Sequence, residues 1–147
     1  MHNLIRQTKE IDYECAVQMC LTAISQANVF SAAVGVVVLS PTGIELAAVR
    51  MNNAPLHAFN IARKKAFTAA SFKVPTYSWQ EKLKQKPNTM NALLREENFT
   101  YLGGGVPIYS EAEGKGELLG AIGVSGATEQ QDIECAEHAI NQLLNTL

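Results

Sequence analysis

Residues 101–132 read YLGGGVPIYSEAEGKGELLGAIGVSGATEQQD and hold eight of the chain's ten glycines. Gly103, Gly104 and Gly105 lead into an apolar run, 106–109; a polar turn follows, then a second apolar run, 118–124. That run closes on Gly123-Val-Ser-Gly126, and a helix start comes at once. Thr128 and Gln131 have the Ser/Thr-x-x-Glu/Gln spacing of a capping box. Asp132 adds a carboxylate to the first turn, where the helix dipole favours one. The pattern predicts a hairpin, a tight glycine turn and a helix. Glycines at both ends of the strands mark places where the backbone turns sharply or another group comes close.

Downstream, Ile133, Ala136, Ile140, Leu143, Leu144 and Leu147 share one side of that helix, with Glu134, His138, Asn141 and Asn145 on the other. Upstream, the chain opens with a loose lead-in, residues 1–10. Asp12 is placed to cap a helix reaching about residue 28, with Ala16, Met19, Cys20, Ala23 and Ala27 at helical spacing. Residues 32–39 (AAVGVVVL) predict a central strand, Ser40-Pro-Thr-Gly43 a turn, and 44–51 the returning strand. After Asn52-Asn53-Ala54-Pro55 a second helix runs to about residue 72. Its apolar arc is Ala58, Ile61, Ala62, Ala66, Ala69 and Phe72. Lys65 falls inside that arc, an unexpected place for a cation. Its stem packs there and its amine either snorkels to solvent or waits in a pocket for an anionic ligand.

Residues 73–98 carry no strand pattern. Ser78 and Glu81 have capping-box spacing for a short helix ending at Lys86-Pro87, and Thr89 is placed to cap another through Arg95. Tyr77 and Trp79 anchor this covering segment. Residues 99–102 complete a set of five strands. The hairpin links imply an antiparallel sheet, hence an α+β domain over 11–147.

The 147 residues are 47% apolar with a formal net charge of −2, enough for one core and no footprint for nucleic acid. No stretch reaches bilayer-spanning length and the lead-in is no secretory signal, so a cytoplasmic protein without a membrane partner is expected. Cys15, Cys20 and Cys135 form no CxxC pair.

The turn Gly123–Gly126 before a helix offers amides to an anion. It is neither a P-loop nor a dinucleotide fingerprint. Ser125 departs from the nucleophile elbow at Ala127, and the histidines (His2, His57, His138) give it no evident partner. His57, His138, Cys20 and Cys135 are the candidate ligands for a metal or haem iron, and Glu134 and His138 are i,i+4 neighbours; solvated or packed side chains are the plainer reading of each.

Three blocks together resemble the GlcG/HbpS family, which includes haem-binding HbpS-like proteins and PduO-type C-terminal domains. They are Arg50-Met51-Asn52-Asn53-Ala54-Pro55; residues 61–72 (IARKKAFTAASF) with Pro75-Thr76; and the glycine stretch through Gln131-Asp132. The resemblance implies a profilin-like α+β fold with a five-stranded antiparallel sheet, a homo-oligomer, and haem as a cofactor of some members. It places the family's motif residues on Lys65, Thr68, Gly103, Gly104, Gly105, Pro107, Gly120, Gly123, Ser125, Gly126 and Asp132. The family's Arg-Met-Asp-Gly pattern lacks its carboxylate here, and no matched position carries the haem ligand; His57 is the tentative choice for the iron.

Three classes of function follow. The first is a binding module in which Lys65 and Thr68 face the glycine turns and hold haem or a small carboxylate. The second is an oligomeric structural protein. The third is an enzyme acting on haem or a corrinoid-related substrate.

Overall fold

The computed structural model describes residues 4–147. Helix α1 (Tyr13–Val29) is followed by strands β1 (Gly35–Leu39) and β2 (Glu45–Arg50), then by helices α2 (Ala58–Phe72), α3 (Ser78–Leu83) and α4 (Pro87–Leu94). Strands β3 (Gly105–Glu111) and β4 (Lys115–Ser125) and helix α5 (Glu129–Leu144) complete the chain, with one short 3-10 turn between the last two strands.

The four strands form one antiparallel sheet in the order β2-β1-β4-β3, so the fold is α+β. The β1–β2 link forms as its residues dictate: Gly43 supplies the left-handed turn, and buried Ser40 accepts from the Ile44 amide through its hydroxyl. β1 is buried along its whole length because both sheet faces are covered. Val36 and Val38 pack with α1 and α5, while Val37 and Leu39 pack against Ala62 and Ala66 of α2. The sheet thus lies between α2 on one face and the α1–α5 pair on the other.

The caps expected from sequence are present at two helices. Asp12 accepts from the Glu14 amide at the start of α1, and Thr128 and Gln131 form the reciprocal capping box at α5. In the middle segment the expectations need correction. Ser78 donates to the Pro75 carbonyl instead of capping a helix, and Pro87 opens α4 at its first position, so neither Ser78 nor Thr89 is a cap.

The five-strand expectation also fails. Residues 99–102 have strand-like composition but form an irregular link whose amides are held by side chains: Thr100 N–H donates to the Thr68 hydroxyl, and Leu102 N–H to the Thr100 hydroxyl. Gly123 and Ser125 belong to β4 and pair with Val37 and Gly35, so the expected glycine turn begins only at Gly126.

Met1 to Asn3 of the lead-in, His2 among them, lie outside the described residues. The remainder is exposed as far as residue 10. It then joins the body where Ile11 N–H donates to the Leu119 carbonyl, alongside the half of β4 that β1 does not reach. No helix of the described residues is long and apolar enough to cross a membrane.

Candidate functional site

The lysine in the apolar arc of α2 neither snorkels nor stays free. Lys65 is 2% exposed, and its Nζ donates to Asp132 Oδ2 at 3.0 Å and to the Val124 carbonyl at 2.9 Å. The other carboxylate oxygen of Asp132 accepts from the Ala127 amide at 3.0 Å. The cation expected to await an anionic ligand therefore has an internal anion. The pair joins α2 on one face of the sheet to the first turn of α5 on the other.

Burial pulls the Lys65 ammonium below the ordinary lysine range, against the attraction of Asp132. Burial likewise pushes the Asp132 carboxyl up, against Lys65 and the Ala127 amide. Both shifts run toward neutral forms, whereas the hydrogen bonds are those of an ionised pair: Lys65 donates twice and both Asp132 oxygens accept. We assign the ionised pair on that geometry.

Small residues let this seam close. A side chain on Gly123 would place its Cβ 2.0 Å from the Ala62 carbonyl oxygen, and one on Gly105 would fall 2.2 Å from that of Lys65. Gly104 has φ +124°, and a Cβ there would reach within 2.9 Å of the Lys65 ammonium. Gly103 lies against Ile133 and Gly126 against the Ala33 carbonyl. Ser125 is buried at the end of β4. Thr68 donates to the Asn98 carbonyl at 3.0 Å while accepting from Thr100. Thr76, which sequence reasoning passed over as a site residue, accepts from the Gly105 amide and donates to the Leu102 carbonyl. Lys65, Asp132, Gly104, Gly105 and Gly123 thus converge on a closed polar seam rather than an open pocket.

Open grooves among the described residues include two that contain motif residues. The first, about 550 Å³, runs between edge strand β3 and the C-terminal half of α5. Val106, Pro107, Ile140 and Leu144 give it apolar walls; Lys73 and Tyr109 lie at one side, where the Tyr109 hydroxyl donates to the Lys73 carbonyl at 2.9 Å. Pro107 is the one motif residue in this groove. The second, about 500 Å³, lies between α2 and the link after α4 and includes Thr68. In sequence Val106 and Tyr109 are strand residues; their place beside an edge of the sheet depends on strand order, which local sequence does not carry.

His57 is exposed at the N-cap of α2 and lines neither groove. Glu134 is hydrogen-bonded by Gln130. Among the described residues no group of three or more His, Cys, Asp or Glu side chains could hold a metal ion. Cys20 and Cys135 are buried, and burial pushes their thiols up to about 12.

Known proteins carry the same fold throughout. ORFY of Klebsiella pneumoniae superposes with a TM-score of 0.89 at 27% identity, covering 100% of this chain and 99% of that one. The crystal structure of a PduOC:heme complex superposes with a TM-score of 0.77 at 26% identity, over 90% of this chain and 94% of the other. The corrinoid adenosyltransferase PduO of Citrobacter freundii is 28% identical over 125 residues, 84% of this chain but only 36% of its own length. Residues 11–141 match the family described as haem degrading protein HbpS-like, and the chain belongs to that family.

Proposed function

We propose that this chain binds haem, with the macrocycle in the groove beside β3. The observation that carries the reading is the groove itself: about 550 Å³, with apolar walls, on a fold shared with the PduOC:heme complex. The size lies within the range of small-molecule and cofactor sites. Val106, Ile140 and Leu144 suit an apolar macrocycle, Lys73 suits a propionate, and the Tyr109 phenol is a known type of ligand for haem iron. Glu111, Glu113 and Glu137 line the groove too, so the propionates belong at the Lys73 end. Bound haem would supply iron-centred chemistry; the chain's own part is to bind and orient it.

The test is a haem titration followed by visible spectroscopy on the wild type, Tyr109→Phe, Lys73→Glu, Asn141→Trp and His57→Ala. Asn141 is an exposed groove residue, and tryptophan there would obstruct the groove. Saturation at one haem per chain, weakened by Lys73→Glu and Asn141→Trp, supports the groove. The spectral change in Tyr109→Phe then identifies the iron ligand. A flat titration removes haem. Loss only in His57→Ala moves the haem to the start of α2.

A small carboxylate at Lys65 and Thr68 is the reading that the motif residues suggested. It would require the ligand to displace Asp132 from the ammonium, an exchange the groove does not need. Homo-oligomer formation is a companion proposal. It is supported by Tyr13, Val17 and Leu21, exposed apolar residues four apart on α1, and size-exclusion chromatography with light scattering tests it.

A further inference from the structure

We propose that the second groove, between α2 and residues 93–99, binds a small organic cation carrying an ammonium group. Its lining residues include Phe67, Phe72, Phe99 and Leu93, and the charged ones are Glu96 and Glu97, both exposed. Lysine and arginine are absent from the lining. Neither carboxylate is in an ion pair among the described residues. Thr68, the other notable polar group, has its hydroxyl committed to Asn98 and Thr100. The groove therefore offers apolar and aromatic surface with unneutralised negative charge, which complements a cation and repels an anion such as a propionate.

Phe72 and Phe99 of the groove pack on Trp79, which lies behind them and itself takes a cation. Phe72, Trp79 and Phe99 meet edge-to-face, with centroids 4.7, 6.1 and 5.7 Å apart. The Lys82 ammonium lies 5.0 Å from the Trp79 ring centroid. A cation within about 6 Å of an aromatic face is attracted by the ring quadrupole, and quaternary ammonium groups are recognised by such surfaces. About 500 Å³ suits a small ligand. This inference is independent of the haem reading, which concerns the other groove.

Trp79 is the only tryptophan of the chain and sits in this cluster, so its fluorescence reports on the groove. The experiment titrates full-length protein with choline and with its neutral isostere 3,3-dimethylbutan-1-ol, following Trp79 emission and heat of binding. Choline should saturate and bind at least about tenfold more tightly than the alcohol. The double substitution Glu96→Gln/Glu97→Gln should weaken choline by a similar factor, and Phe72→Leu, which removes the ring but keeps an apolar side chain, should weaken it too. Glu111→Gln/Glu113→Gln, in the first groove, should leave it unchanged. Absence of saturation, equal binding of the alcohol, or indifference to the Glu96/Glu97 change would overturn the proposal. So would loss of binding in the Glu111/Glu113 variant, which would put the cation in the other groove.

Discussion

Lys65 and Asp132 are 67 positions apart in sequence, yet their charged groups meet at 3.0 Å in a place almost closed to water. A buried pair of this kind gains little over an apolar replacement, but breaking it by removing one partner is costly. We predict that Lys65→Met and Asp132→Leu each destabilise by about 3–5 kcal/mol. The double variant Lys65→Met/Asp132→Leu should lose much less than the sum. Urea denaturation of the four proteins gives the coupling. Additive losses would mean that the two groups act separately.

The same pair sets a pH dependence. In Lys65→Met the Asp132 carboxylate stays buried without its cation, and burial already pushes its pKa up. With the folded pKa above the unfolded one, the stabilising contribution is fully present below the ordinary carboxylate range. It is lost as pH rises through the folded pKa. The destabilisation of Lys65→Met relative to wild type should therefore shrink on going from neutral pH to about pH 4, near the ordinary Asp value. A constant deficit across that window in denaturation experiments would show that Asp132 is not left as a buried anion.

The glycines separate into those facing backbone and those facing flexible side chains. A methyl group on Gly123 meets the Ala62 carbonyl at 2.0 Å and the Ala66 nitrogen at 2.7 Å, inside the helix–sheet contact. On Gly103 it meets the end of the Ile133 side chain at 2.6 Å, which can turn away. Gly103→Ala should therefore fall within the usual overpacking range of about 1–3 kcal/mol, and Gly123→Ala should exceed it or prevent folding. Comparison of their denaturation midpoints checks the order; a reversed order would mean that α2 moves off the sheet more easily than Ile133 changes rotamer.

What could be read in advance was local. Pro41 and Gly43 made the first hairpin legible, and Thr128 with Gln131 made the start of α5 legible, because each signal lies within a few residues of its effect. Residues 99–102 misled because Phe99 and Leu102 resemble a strand, while the groups holding them, Thr68 and Thr76, come from other parts of the chain. Lys65 stood out by its place in the apolar arc of α2, but its partner did not. A signal was available: Asp132 precedes Ala136, Ile140 and Leu143 at helical spacing, so it too lies on the buried side of its helix. Two opposite charges, each on an inward face, imply each other. The grooves had no such signature, since Tyr109 and Lys73 meet only because β3 ends the sheet.

Thr76 supplies the last prediction. Its side chain is fully buried and does two tasks at one oxygen: it accepts from the Gly105 amide at 3.1 Å and donates to the Leu102 carbonyl at 2.6 Å. Its own amide donates to the Gly105 carbonyl at 2.9 Å, so the threonine pins the start of the covering segment to the start of β3. Valine has nearly the same shape but no hydroxyl. Thr76→Val would leave the Gly105 N–H and the Leu102 carbonyl without that partner, which costs about 1–3 kcal/mol for a buried polar group. Thr76→Ser keeps the oxygen and should recover most of the loss. Hydrogen exchange at the Gly105 amide should quicken in the valine variant and stay slow in the serine one. If valine proved as stable and as slowly exchanging as threonine, the pin would lie in the backbone bond between Thr76 and Gly105 alone, and the glycine stretch would hold its shape without the hydroxyl.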